Sequence, residues 1–156
     1  DHGLSSRYRL LLRVAAILHE VGGYVNSRAH HKHSYYLISN SEIFGLRREE
    51  LEIVAHVARY HRRSVPRQSH IDYMSLPRER RMVVSKLAAI LRVADAMDHG
   101  HNQQVRDLSF ERVGDELVIA ARGARTLNLE RRSLESKSDL FEDIYGMKIR
   151  LEEAGE

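Results

Sequence analysis

Histidine and carboxylate side chains occupy positions of this sequence where buried apolar residues are expected. His19 and Glu20 close the most apolar segment of the first half, residues 10–21. At about 3.6 residues per turn, His19 shares a helical face with the alanines three and four positions before it. His61 ends a second such face, and Asp95 interrupts a third. Because an isolated buried carboxylate is costly, we expect these helices to converge on one polar centre.

Imidazole and carboxylate together form the ligand set of divalent ions such as Mn, Fe, Zn or Mg. Such a centre could generate hydroxide and hold a phosphoryl group. The alternative interpretation is structural, with core histidines that hydrogen-bond to the carboxylates. The candidate metal ligands are His2, His19, Glu20 and Asp95 for one ion, and His33 and His61 for a second.

Cationic residues cluster next to these histidines. Arginine favours bidentate contact with phosphate or carboxylate oxygens, so two clusters beside one polar centre indicate a polyanion-binding surface. The alternative is ordinary solvated surface charge. One cluster contains Arg28, His30, His31 and Lys32, and the other contains Arg59, Arg62, Arg63 and Arg67.

Apolar periodicity predicts four helices that would position these side chains. The stretch between the third and the fourth, residues 61–77, contains both prolines and is expected to be a functional loop. The fourth helix is apolar on nearly all sides from Leu87 to Ala94, which favours a central, buried position. The predicted helices cover residues 6–20, 31–39, 47–60 and 78–98.

The last third of the chain has a different pattern. Two short apolar runs flank Gly114-Asp115, which is typical of a hairpin, and Asn128 could cap a following helix. Residues 147–151 then alternate as a strand does. We therefore predict a mainly α HD-like helical domain over residues 1–102. A small α+β (β-β-α-β) subdomain over residues 103–156 would follow, with an antiparallel sheet and a helix on one face.

The composition suits a globular chain of 156 residues with a net charge of +3. The absence of cysteine excludes disulfides, thiolate metal sites and cysteine nucleophiles, and is compatible with the cytosol. No apolar run is long enough to cross a bilayer, so no membrane association is expected. Since the chain begins with Asp1, we expect a further domain upstream.

Four ordered blocks of the sequence resemble a known family. They are AAILHEVGGYVN, HHKHSYYLI, VARYHRR and LAAILRVADAMDHGH. Together they are similar to the C-terminal HD-like region of the exopolyphosphatase and guanosine pentaphosphate phosphohydrolase (Ppx/GppA) family. The resemblance spans Asp1 to about His101 and extends to the β-β-α-β tail. One departure is the doublet, which is His-Asp in HD proteins and His19-Glu20 here; the added methylene displaces the carboxylate by about 1.5 Å.

The resemblance implies ligand positions for His2, His19 and Asp95, with His33 and His61 at positions that serve a second metal in extended HD proteins. It also implies that phosphatase chemistry belongs to N-terminal actin-like domains, which this chain lacks, and that the whole enzyme uses a divalent metal, Mg or Mn. This region would then bind inorganic polyphosphate or guanosine pentaphosphate and support a cytoplasmic homodimer.

Two alternatives stay open. The domain could itself be an HD-type metal-dependent phosphohydrolase, with the ion held by His2, His19, Glu20 and Asp95. It could also be a non-catalytic dimerisation module whose inward polar cluster is structural. The sequence assigns no catalytic residue, and whether this chain is an enzyme by itself is left undecided.

Overall fold

The computed structural model describes residues 5–24, 28, 30–61, 64–98, 107–122 and 126–154. The chain forms two compact units, residues 1–91 and residues 92–156. Helices dominate the fold, and a small three-stranded sheet lies near its C-terminal end. The predicted fold class, a mainly α domain followed by a small α+β tail, is therefore confirmed.

The helices of the first unit lie close to their predicted positions, within about two residues at each end. A short helix, α4, lies inside the predicted loop of residues 61–77 and was not expected. The bounds are α1, Ser6–Leu18; a 3₁₀ turn, Val21–Tyr24; α2, His30–Ser39; α3, Arg48–Arg59; α4, Ile71–Met74; and α5, Arg78–Met97.

Helix α3 forms the centre of the first unit. Its side chains are buried on nearly all sides, including Val54 and Val57 at 0% exposure, and both α1 and α2 pack against it. Helix α1 contributes Leu11 and Ala15, which are also fully buried. Burial of this apolar surface stabilises the unit, at about 25 cal/mol for each Å² removed from water.

An ion pair joins α1 to the start of α3. The Arg7 guanidinium donates from Nε to Oε2 of Glu50 at 2.5 Å and from Nη2 to Oε1 at 2.9 Å. The backbone N–H of Arg47 also donates to Oε1, at 3.1 Å, which caps α3. Glu50 is only 6% exposed, and the Arg7 hydrogen bond is the main cause that lowers its carboxyl pKa to about 2.

Helix α5 is buried as predicted. Leu87, Ala88 and Ala89 are at most 1% exposed, in agreement with the apolar run on all sides of the sequence. The helix is continuous, although its residues from Arg92 onward belong to the second compact unit.

The second unit contains a mixed sheet. Its elements are β1, Asp107–Val113; β2, Glu116–Arg122; α6, Asn128–Lys137; α7, Asp139–Tyr145; and β3, Lys148–Ala154. Strands β1 and β2 pair antiparallel around Gly114, whose φ of +62° suits glycine, and β3 pairs with the other edge of β2.

Three details of the tail correct the prediction. Strand β3 is parallel to β2, so the prediction of an antiparallel sheet was wrong for this strand, because the helical connection carries the chain back before β3 begins. The single predicted helix is two helices, separated at Ser138. Asn128 is the first residue of α6, and Leu127 holds the cap position that was predicted for it.

The predicted domain boundary between residues 102 and 103 falls in residues 99–106, outside the described part of the chain. Among the helices that the structure describes, none combines the length and apolar character that a membrane span requires.

Candidate polyanion-binding site

Two of the predicted ligands, His19 and His61, meet in the first unit. Their ring centroids are 4.5 Å apart in an edge-to-face arrangement. In each ring Nδ1 hydrogen-bonds a carbonyl three residues earlier: His19 to Ala16 at 2.6 Å, and His61 to Ala58. Since Nδ1 must donate to a carbonyl, the neutral rings carry their proton there and present the Nε2 lone pair.

A buried serine fixes the turn that holds His19. The Ser34 hydroxyl donates to the carbonyl of His19 at 2.9 Å and accepts from the backbone N–H of Gly22 at 2.8 Å. Ser34 is 0% exposed and lies on α2, which packs against the 3₁₀ turn that follows α1. Because one hydroxyl satisfies two backbone groups, it ties α2 to the end of α1.

The other predicted ligands differ in their exposure and in their contacts. Glu20 is 48% exposed, and its Oε1 lies 3.9 Å from Nε2 of His19. His33 is half-buried on α2, and His2 lies outside the described residues. Asp95 belongs to the second unit, where its carboxylate binds the ammonium of Lys137.

This donor set is a poor fit to a divalent ion. The two imidazoles present the correct nitrogen, but the Asp95 carboxylate already binds a cationic side chain, and both members of that ion pair are at least 88% buried. An ion at Asp95 would have to displace Lys137. The predicted metal ligand set therefore stays a prediction.

Arg59 is the least exposed arginine or lysine among the described residues of the predicted polyanion surface. Its guanidinium carbon lies 5.6 Å from the ring centroid of Tyr35 and 5.4 Å from that of Tyr60. Nη1 lies 3.8 Å from the Asp72 carboxylate, and the side chain is only 15% exposed. These aromatic and ionic contacts hold the guanidinium in place before any ligand binds.

Tyr60 also anchors the 61–77 segment through His70. The phenol oxygen lies 2.7 Å from Nδ1 of His70, and the two rings stack with centroids 5.4 Å apart. Burial raises the pKa of Tyr60 to about 12, so the phenol keeps its proton and can donate it to Nδ1. In that arrangement the neutral His70 ring carries its own proton on Nε2.

Cations from both predicted clusters act on His70. Its pKa is lowered first by burial and then by the positive charges of Arg59, Arg67 and Lys32. Lys32 comes from α2, Arg59 from α3, and Arg67 from the segment before α4. The two clusters thus share one positive region in the first unit. Arg67 and Lys32 are both exposed to solvent.

The other members of the clusters lie on or before α2, or outside the described residues. Arg28 is exposed, and His31 is half-buried on α2. His30 begins α2. Arg62 and Arg63 lie outside the described residues.

His56 is a functional candidate that the sequence reasoning missed. It is 2% exposed, its ring lies against those of Tyr35, Tyr60 and Tyr73, and Nδ1 has no hydrogen-bond partner among the described residues. Burial, followed by the charge of Arg59, lowers its pKa to about 4. The sequence offered one sign of this contact: His56 lies about one helical turn before Tyr60, so the two side chains share a face.

The chain matches the family described as Ppx/GppA phosphatase, domain III, over residues 1–141. It therefore belongs to the Ppx/GppA phosphatase family, as its four sequence blocks predicted. A relative from Pseudoalteromonas translucida (strain TAC 125), named guanosine-5'-triphosphate,3'-diphosphate pyrophosphatase, is 38% identical over 52 residues. That match covers 33% of this chain and 10% of the relative, so the chain spans only a small part of the length of the relative.

Proposed function

We propose that this chain is the polyanion-binding domain of an exopolyphosphatase or guanosine pentaphosphatase, an enzyme that hydrolyses phosphoanhydride bonds. The observation that carries the proposal is the positive region formed by Lys32, Arg59 and Arg67 around His70. Its three cations come from separate elements of the first unit. Inorganic polyphosphate and guanosine pentaphosphate both present adjacent phosphoryl oxygens that such a region can bind.

The cations have different tasks in this proposal. Arg59, held between Tyr35 and Tyr60, provides a fixed guanidinium that can contact two phosphate oxygens at once. Lys32 and Arg67 are exposed and can adjust to a chain of phosphates. The Asp72 carboxylate partly balances Arg59, so a phosphate ligand would replace this long ionic contact with a closer one.

The family supports a role as part of a larger enzyme. The name of the relative describes hydrolysis of guanosine-5'-triphosphate,3'-diphosphate, which is one of the two proposed ligands. We place phosphoanhydride cleavage, and the Mg or Mn that assists it, in upstream actin-like domains of a cytoplasmic protein. In this arrangement the domain binds the anionic substrate while another part of the protein cleaves it.

A binding titration tests the proposal. Fluorescence anisotropy of labelled polyphosphate with the 156-residue chain should show saturable binding that weakens as salt rises, because salt screens exposed charges. The Arg59→Ala, Arg67→Ala double variant should bind at least tenfold more weakly. Arg132→Ala, which removes an exposed arginine of α6 in the second unit, should bind as the wild type does.

Competition then distinguishes the two ligands. Unlabelled guanosine pentaphosphate, polyphosphate of matched charge and GTP are compared as competitors. The proposal is rejected if neither guanosine pentaphosphate nor polyphosphate competes. It is also rejected if the double variant and Arg132→Ala lose affinity equally. An Arg62→Ala, Arg63→Ala variant tests the rest of the predicted cluster, and we expect a further loss of affinity.

An interaction module is the second candidate function, and strand β1 supports it. All seven residues of β1 are exposed, among them Leu108, Phe110 and Val113 at 38%, 61% and 47%. Exposed apolar side chains on an edge strand favour self-association. Sedimentation velocity should then show a homodimer that Phe110→Ser weakens. A concentration of about 100 μM is far above the Kd of a stable dimer. A chain that stays monomeric at that concentration would reject this candidate.

A further inference from the structure

Among the described residues of the second unit, the acid–base contact with both partners most buried joins α5 to the end of α6. The Lys137 ammonium binds Oδ2 of Asp95, and the two side chains are 12% and 10% exposed. The contact spans 42 residues of sequence. Burial reduces screening by water, so the pair interacts more strongly than an exposed one, and loss of one partner would leave the other charge buried.

A second pair lies beside the first. Arg92 is 3% exposed, and its Nη2 lies 3.5 Å from Oδ1 of Asp139 on α7. Burial lowers the pKa of Arg92, while the negative charges of Asp139 and Asp95 act in the opposite direction. Lys137 and Arg92 therefore both place positive charge next to the Asp95 carboxylate.

A divalent ion at Asp95 would add to this positive charge. It would displace the Lys137 ammonium from its carboxylate and place two further positive charges beside Arg92, in surroundings with little water. Carboxylates that hold divalent ions in proteins are not normally occupied by a buried ammonium in the same place. The ammonium of Lys137 is therefore a competitor for the ion.

We infer that Lys137 is a resident cation that takes the place of a divalent metal at Asp95. An ammonium satisfies the buried carboxylate, but it cannot act as a Lewis acid or generate hydroxide from a bound water. The HD-like frame thus keeps its acidic residue while that residue serves a structural ion pair. This inference concerns the second unit and does not depend on the polyanion-binding proposal.

Manganese binding tests the inference directly. Mn²⁺ is titrated into the 156-residue chain, and the free ion is followed by its electron paramagnetic resonance signal. The wild type, the matched control Lys148→Met on β3 and the charge-preserving Lys137→Arg should bind only weakly. Lys137→Met should bind at least tenfold more tightly than these, and the Asp95→Asn, Lys137→Met double variant should lose that gain.

Two outcomes overturn the inference. One is stoichiometric binding of Mn²⁺ to the wild type with a low-micromolar Kd, a result that needs no variant to fold. The other is a folded Lys137→Met variant, verified by circular dichroism, whose affinity equals that of Lys148→Met. Lys137→Gln, which keeps a polar group in the same place, serves as the second removal of charge if Lys137→Met does not fold.

The same samples test the autonomous phosphohydrolase hypothesis. The inference predicts no Mn²⁺-dependent release of phosphate from polyphosphate by the wild-type chain. Release that disappears in Asp95→Ala would contradict the inference and support hydrolysis by this domain.

Discussion

The phenol oxygen of Tyr60 lies 2.7 Å from Nδ1 of His70, and this bond ties the end of α3 to the segment that precedes α4. Tyr60 is 0% exposed, whereas His70 is half-buried. The bond therefore joins a core residue to the segment that carries Arg67. It also keeps the two stacked rings next to the Arg59 guanidinium.

Tyr60→Phe should lower the free energy of unfolding by about 1 kcal/mol, the usual net value of one hydrogen bond. The ring stays in the core, so the loss reports the hydroxyl alone. Urea unfolding gives the measurement, with Tyr36→Phe, a change at an exposed tyrosine, as the control. Equal unfolding midpoints for the two variants would show that the hydroxyl contributes nothing.

His56 should make the protein less stable in mild acid. Its pKa is about 4 in the folded chain and 6.5 as the ordinary value, so between these values the unfolded chain binds a proton that the folded chain does not. The contribution of neutral His56 to stability is therefore fully present above pH 6.5 and is lost as the pH falls toward 4. At about 1.4 kcal/mol for each pH unit, the loss reaches roughly 3 kcal/mol.

His56→Leu removes this titration. The charged groups that act on His56 are Arg59 and His70, which disfavour its protonation, and Asp72, which favours it. Urea unfolding at pH 7.5 and pH 5 should show a smaller acid-induced loss for the variant than for the wild type. The same loss in both proteins would assign the acid sensitivity to other groups.

Arg7→Met should destabilise the first unit, because it removes both hydrogen bonds from the guanidinium to the Glu50 carboxylate. The change leaves the Glu50 carboxylate, 6% exposed, with Arg47 as its remaining partner among the described residues. Arg9→Met, at an exposed position of α1, is the matched control. Thermal or urea unfolding at pH 7 measures both variants.

The pH dependence of that loss provides a second check. The pKa of Glu50 is lowered from 4.5 to about 2, so the stabilisation by its ionised form is present above pH 4.5 and disappears as the pH falls toward 2. The difference between Arg7→Met and the wild type should therefore shrink over that range. A difference that is constant from pH 7 to pH 3 would indicate lost packing instead.

Ser34→Ala should cost about 1–3 kcal/mol, because it leaves the Gly22 N–H and the His19 carbonyl without the hydroxyl that joins them. The ring of His19 should also change its surroundings, which a shift of its imidazole resonances would report. Ser75→Ala, at an exposed serine, is the control. Unchanged resonances would mean that the turn holds His19 without this serine.

The sequence predicted the helices well where apolar periodicity is long. Helix α3 and helix α5 were placed within two residues because their apolar positions repeat over three or more turns. Helix α4 has four residues, too few for a periodic pattern. The parallel pairing of β3 was missed because an alternating strand looks the same in either direction, and only the connection through α6 and α7 decides it.

The candidate site was predicted in part for similar reasons. His19 and His61 were expected at one polar centre because both end apolar helical faces, although His61 was assigned with His33 to a second ion, and the rings of His19 and His61 do meet. Lys137 could not be assigned to Asp95, since a partner 42 residues away follows from tertiary packing alone. His56 escaped notice because α3 is buried on nearly all sides, whereas a search for one apolar stripe selects only one face.

The parallel pairing of β3 sets an order of events in folding. The β1–β2 hairpin closes through a two-residue turn, but β3 can reach Ile119 and its neighbours only after the chain between residues 122 and 148 is in place. Closure of that longer connection costs more chain entropy, so β3 should join late and leave first. Amide hydrogens of β3 should then exchange with solvent faster than those that β1 and β2 share.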